Sequence, residues 1–258
     1  MNAFALIGLG LIASVIMFAL LWVYQKRGGD AGIVDVAWGL NVGLLALAFC
    51  LFAEGDSTRR IIVALLAMLW SARLSWHVYH RLRKHEDGRY TEMIENWGDQ
   101  ADSRLFRFYQ FQAIASVLFA LPMLIAAFNP NPLGWLDWTG VAIWFVAIAG
   151  ESISDGQLNA FRNNPANAGK VCQDGLWRFS RHPNYFFEWV HWWSYVLLSI
   201  SYLFGWLSLI FPMAMLFFIL RVTGIPPTER QAIRSRGDAY REYQRTTSPF
   251  FPWFPKSA

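Results

Sequence analysis

The chain has 258 residues, 55% of them hydrophobic and only 16% charged, with 14 Trp, 21 Phe and a formal net charge of +4. Ordinary soluble domains carry about 25% charged residues, so this composition excludes a water-soluble globular protein and points to a chain in contact with membrane lipids. Nothing in it suggests a nucleic-acid partner.

A bilayer-spanning helix needs about 20 mostly apolar residues. Such stretches lie at 3–24, 33–53, 59–80, 109–128, 135–159, 184–203 and 205–222, which predicts seven spans. Backbone amides in lipid must be satisfied within the segment, and no alternating-polarity pattern competes, so the expected fold is all-α and polytopic. The first stretch lacks a basic leader and is too long for a signal peptide core, so it is read as helix one. Its G-L-G-L-I-A at 8–13 matches a dinucleotide fingerprint only on paper, because that signal needs a preceding strand inside a βαβ unit.

With the N-terminus outside, 19 of the 22 Lys and Arg fall in cytoplasmic segments, Arg59 and Arg60 fall outside, and Arg73 sits within helix three. This positive-inside bias predicts an N-out, C-in topology. Cys50 and Cys172 then lie on opposite sides and are expected not to pair. Two cysteines without a ligand spacing also give no metal site. No repeat or linker divides the chain, so residues 1–258 are expected to form a single domain.

Ionisable residues inside apolar spans each cost about 2.5–3.5 kcal/mol at bilayer depth unless paired or near water. Here they are Asp35, Arg73, His77, Glu151, Asp155, Glu188 and His191, nearly all in the cytoplasmic half of the predicted bundle. Arg73, His77 and Arg81 recur every four residues, as do Glu151, Asp155 and Asn159, so each set forms a polar line along one helix face. Interhelical pairs such as Arg73 with Asp155 would account for these lines. They would not account for the loop cations Arg162, Lys170, Arg178 and Arg181, or for Arg81, Arg83, Lys84 and Arg89. Attraction to anionic lipid explains some of that charge; a polyanionic ligand held between the loops explains both the cations and the buried lines.

Several spaced motifs, in order, carry a resemblance: D-V-A-W-G (35–39), E-D-G-R-Y (86–90), D-G-Q-L-N-A-F-R-N-N-P (155–165), G-K (169–170), G-L-W-R-F-S-R-H-P-N-Y-F-F-E (175–188) and G-D-A-Y-R-E-Y (237–243). Together they resemble the bacterial membrane family of unknown function within the steroid 5α-reductase superfamily, over almost the whole chain. The resemblance implies a seven-helix enzyme of the bacterial inner membrane. It would bind NADPH in a cytoplasm-facing cavity and reduce the C4–C5 double bond of a 3-oxo-Δ4-steroid or similar lipophilic enone that enters from the bilayer.

It further implies cofactor roles for Arg73, His77, Arg81, Asp155, Asn159, Arg162, Lys170, Arg178, Arg181, His182, Asn184, Tyr185, Tyr240 and Tyr243. Arg and Lys suit the phosphates, while Asp and Asn suit ribose hydroxyls and the carboxamide. Reduction builds negative charge on the carbonyl oxygen, which needs an acid or hydrogen-bond donor. The eukaryotic reductases resembled use a Gln-Glu pair at the start of helix two and a Tyr on helix three; the matching places here hold Val34, Asp35 and Trp70. Asp35, kept protonated by apolar surroundings, is the expected donor, with Glu188 assisting and Trp38 and Trp70 as substrate walls. Asp35 could instead cap helix two or pair with Lys26.

R-H-P-N-Y (181–185) with T-E-R-Q-A-I-R-S-R-G-D-A-Y-R-E-Y (228–243) also resembles membrane isoprenylcysteine carboxyl methyltransferases, which use S-adenosylmethionine. The extra cations at 155–170 favour the dinucleotide, since a sulfonium cofactor has no phosphates to occupy them. A lipid-binding scaffold, which would bind neither cofactor, is the non-enzymatic reading.

Overall fold

A computed structural model describes residues 1–83 and 89–256, with the side chain of Arg89 left out. The motif at 86–90 therefore falls, except for Tyr90, outside the described residues, as does Lys84. Among the described residues the chain is all-α, with ten α-helices and no strand. Six helical segments are long and apolar enough to cross a membrane: Ala3–Lys26, Ile33–Phe52, Ser57–Arg83, Tyr90–Ala127, Trp135–Asn163 and Gly205–Arg236. The stretch expected to span at 184–203 is instead a helix of 17 residues that stops at Ser199. Its continuation to Phe204 turns. At 17 residues the helix sits at the short limit of about 17–25 for a spanning helix.

The chain forms two compact units, residues 1–133 with 198–206, and residues 134–197 with 207–258. The first unit is built on α1 (Ala3–Lys26), α2 (Ile33–Phe52), α3 (Ser57–Arg83), α4 (Arg89–Trp97) and α5 (Ala101–Ala127). α1 buries only Leu6, Gly10, Ser14 and Phe18, one residue per turn on a single face. Its Phe4, Leu9, Ile12, Ile16 and Leu20 are exposed, as expected of a helix that meets lipid on its other sides. α2 has the opposite character, with eleven buried residues, and packs against α3 and α5.

Small residues permit that approach. A Cβ on Gly43 would lie 2.4 Å from Ser71 Cβ, while Ser71 Oγ donates to the Gly39 carbonyl (2.7 Å) and Ser75 Oγ to that of Val36 (3.2 Å). Asn41 then ties three helices together, donating through Nδ2 to Ser14 Oγ of α1 (2.8 Å) and Ser116 Oγ of α5 (2.6 Å). At the other end of α3, Arg59 is 0% exposed and donates to the carbonyls of Asn129 (3.1 Å) and Asn131 (2.6 Å). A residue expected in an external loop by charge count is thus a buried strut for the 129–132 turn.

The second unit holds α6 (Trp135–Asn163), α7 (Pro183–Ser199), α8 (Ile210–Phe217), α9 (Ile225–Arg236) and α10 (Asp238–Thr246). Ile219, Ile225 and Phe250 form its apolar centre with Phe186, Trp189 and Leu216 around them. Between α6 and α7 runs a loop with no long helix of its own, and α6 grips it. Gln157 Oε1 accepts from the Leu176 amide (2.9 Å), and Trp177 Nε1 donates to the Ser154 carbonyl (2.9 Å). Gly175 makes the turn possible: its φ of 57° is left-handed, and a Cβ there would sit 2.2 Å from Gln157 Nε2.

Candidate functional site

In the second unit, the expected cofactor residues divide into two kinds. Asn159, Arg162, Lys170 and Arg178 are exposed on the last turns of α6 and on the loop that follows. Their neighbours hold that loop in place: Arg236 Nε donates to the Lys170 carbonyl (2.9 Å), and Asn164 Oδ1 accepts from the Ala166 amide (3.0 Å). Cys172 is buried beneath it, where burial pushes its thiol up against the opposing pull of Arg162 and Arg236. Asp155, buried one turn before Asn159, accepts a hydrogen bond from Asn184 Nδ2 (3.2 Å), which joins α6 to the first turn of α7. Asn184 Oδ1 in turn accepts from the Tyr185 amide (3.0 Å).

Arg181, His182, Tyr185, Tyr240 and Tyr243 look inward instead. Arg181 is 8% exposed; its Nε donates to Glu229 Oε1 (2.7 Å) and its Nη1 to the carbonyls of Gln244 (3.1 Å) and Thr247. His182 Nε2 meets the same Glu229 oxygen at 3.2 Å. Burial lowers the His182 pKa, outweighing the hydrogen bond and charge of Glu229, which raise it. The imidazole is therefore neutral near pH 7 and donates its Nε2–H. Tyr240 donates to Glu229 Oε1 (3.4 Å), and Gln244 Nε2 donates to Oε2 (2.7 Å). Tyr243 donates to the Trp177 and Ser180 carbonyls, and its hydroxyl, like that of Tyr240, is pushed up by burial. Tyr185 stacks on His182, with centroids 5.3 Å apart, and shares a hydrogen bond with Thr228 (3.2 Å).

Glu229, at the centre of this arrangement, is the residue that sequence reasoning missed. The available signal was its isolation, since it is an acid in a segment otherwise charged by Arg230, Arg234 and Arg236. Further along α7, Glu188 is half-buried and accepts from Trp192 Nε1 (3.1 Å), while His191 is buried with Nε2 3.2 Å from the Tyr195 hydroxyl.

In the first unit, Asp35 and Arg81 line one shallow cleft of about 10 Å³, room for about one water molecule, together with Gly32, Val78, Leu82 and Tyr90. Tyr90 is buried and its hydroxyl donates to Asp35 Oδ1 (2.9 Å). Lys26 is not the partner weighed for Asp35; it pairs with Asp102 (3.0 Å). Arg73 and His77 lie on the same face of α3 as Arg81, half-buried. Trp70 is 0% exposed and packs edge-on against Trp38 (6.4 Å), which also meets Phe119 (5.6 Å). The Trp38 Nε1–H is buried without a hydrogen-bond partner among the described residues. Cys50 and Cys172 are both free.

A family profile described as "Protein of unknown function (DUF1295)" matches residues 21–247. The chain belongs to this family. It is the steroid 5α-reductase-like family of membrane proteins. The chain is similar to the uncharacterized protein C594.04c of Schizosaccharomyces pombe, 28% identical over 283 residues that cover 94% of this chain and 78% of that protein. It is also similar to the Delta(14)-sterol reductase of Ascobolus immersus, 34% identical over 94 residues, or 31% of this chain and 22% of that enzyme. No solved structure matches.

Proposed function

We propose that the chain is an NADPH-dependent reductase of the bacterial inner membrane, N-out and C-in, which acts as one domain on the carbon–carbon double bond of a 3-oxo-Δ4-steroid or another lipophilic enone. The observation that carries the reading is that the exposed cations Arg162, Lys170 and Arg178 lie on the end of α6 and the loop after it, a segment whose far end is tied back to α6 by the Asp155–Asn184 hydrogen bond. Positive charge together with a carboxylate and an amide is the donor and acceptor set that a phosphorylated dinucleotide calls for. The residues present fit that group. Arg162, Lys170 and Arg178 would hold its phosphates, with Asp155, Asn159 and Asn184 at hydroxyl and amide groups.

When bound, NADPH supplies a hydride. The chain's own part is to meet the charge that develops on the substrate oxygen as hydride reaches the β-carbon. Asp35, oriented by Tyr90, carries the proton delivered to that oxygen. The resulting enol returns its O–H proton to the Asp35 carboxylate and takes a proton from water at the α-carbon, so the double bond is saturated and the carbonyl kept. The unpaired Trp38 N–H supports a polar atom on the ligand, because a buried donor without a partner costs about 1–3 kcal/mol. Trp70 would form an apolar wall, and Glu188 would assist in cofactor binding or proton transfer.

The test is loss of NADPH absorbance by the purified chain in detergent, against a panel of Δ4-3-ketosteroids and simpler enones. Turnover of at least one enone, abolished in Asp35→Ala with NADPH affinity nearly unchanged, is the expected result. Loss of NADPH binding in Asp35→Ala would remove Asp35 from the chemistry, and no turnover across the panel would refute the enone assignment.

A further inference from the structure

The loop between α6 and α7 carries the exposed cation Arg178 between buried residues, Trp177 before it and Ser180 and Arg181 after it. It has two anchors. On one side, Gln157 and the Ser154 carbonyl hold Leu176 and Trp177; on the other, Glu229 holds Arg181 and His182. Arg178 stands between these anchors, exposed, and Asn184 follows the second.

Among the described residues the Glu229 carboxylate is the one acid in its cluster, and four side chains converge on it. Two come from the loop, Arg181 and His182, and two from α10, Tyr240 and Gln244. Arg181 adds bonds to the Gln244 and Thr247 carbonyls, and its own amide donates to the Ser248 carbonyl (2.8 Å). The planar guanidinium is thus engaged on both sides, a use for which lysine would be a poor substitute.

We infer that Glu229 is a positioning residue for the cation-bearing loop: it clamps Arg181 and His182 to α10, so that Arg178 and Asn184 meet the ligand while Arg181 and His182 do not. The role rests on the dinucleotide reading above and separates, within R-F-S-R-H-P-N, the residues that bind from those that brace. A charge that touches a phosphate contributes a salt-dependent attraction to binding. A charge already satisfied by an internal carboxylate contributes only through the shape of the loop.

The experiment compares full-length wild type with Glu229→Ala, Glu229→Gln, Arg181→Ala and Arg178→Ala in detergent. It measures NADPH affinity by fluorescence over a range of NaCl, and hydrogen exchange in 175–184 and 238–247. Glu229→Ala should weaken NADPH about tenfold, the scale of one lost charge-assisted hydrogen bond, with the wild-type salt dependence and faster exchange in both segments. Glu229→Gln, which retains an acceptor and the fold, should show a smaller loss in the same direction. Arg178→Ala should flatten the salt dependence, whereas Arg181→Ala should not. An Arg181→Ala chain with flattened salt dependence would make Arg181 a phosphate ligand and overturn the inference. Wild-type binding that Glu229→Ala leaves unchanged overturns this role alone; a wild-type chain that binds no NADPH takes the dinucleotide reading down, and this role with it.

Discussion

The two units put buried polar atoms to different uses. In the first, neutral groups close short bonds between packed helices, with Asn41 to Ser14 and Ser116, and Ser71 to the Gly39 carbonyl. In the second, one carboxylate gathers a guanidinium, an imidazole, a phenol and an amide from segments up to 48 residues away in sequence. Neutral bonds of the first kind are cheap to bury and set helix register. A charged hub is costly to bury and strongly destabilising to break on one side only, so its presence beside exposed cations argues that the loop's shape, rather than its mere attachment, is what the second unit maintains.

Breaking the hub should have the largest effect. Arg181→Ala leaves Glu229 with fewer donors in a buried place and should cost about 3–5 kcal/mol, seen as a fall in the thermal midpoint in detergent. In the first unit, close packing takes the place of charge. Gly43→Leu forces a side chain into the space of Ser71 and should cost about 1–3 kcal/mol, while leaving the exchange of residues 175–184 unchanged.

Acid should distinguish the units. Burial depresses the His182 pKa below its ordinary 6.5, so the unfolded chain takes up that proton first as pH falls. Stability present above about pH 6.5 should therefore be lost below it, at no more than about 1.4 kcal/mol per pH unit for one proton. Thermal midpoints between pH 7.5 and 5.5 check this, and His182→Gln should remove that component of the slope. The smallest effect is expected at Asn41→Ala, about 0.6 kcal/mol by analogy with interhelical hydrogen bonds in membranes. A loss as large as that at Arg181 would erase the contrast between the units.

Sequence reasoning reached the helical class because apolar length is a one-dimensional property, and the α6 and α7 motifs did bring Asp155 and Asn184 together. It misjudged what depends on three dimensions. Residues 101–108 of α5 carry the charges Asp102, Arg104 and Arg107 and so lie outside the span expected from 109, although the helix starts at Ala101. The end of α7 was hidden for the opposite reason, since Ile200–Phe204 is apolar yet turns. The cation count places Arg59 outside and the motif gives Arg181 to the cofactor, because neither can reveal that one meets backbone carbonyls 70 residues away and the other a glutamate 48 residues away. Tyr90 as the partner of Asp35 had no local signal at all, being 55 residues from it.

The most direct measurement is a titration of the purified full-length chain with NADPH and, separately, S-adenosylmethionine, followed by thermal shift and repeated at high salt. The account predicts that NADPH raises the midpoint, that salt diminishes the shift, and that S-adenosylmethionine does nothing. Stabilisation by S-adenosylmethionine alone, or by neither compound, would contradict it.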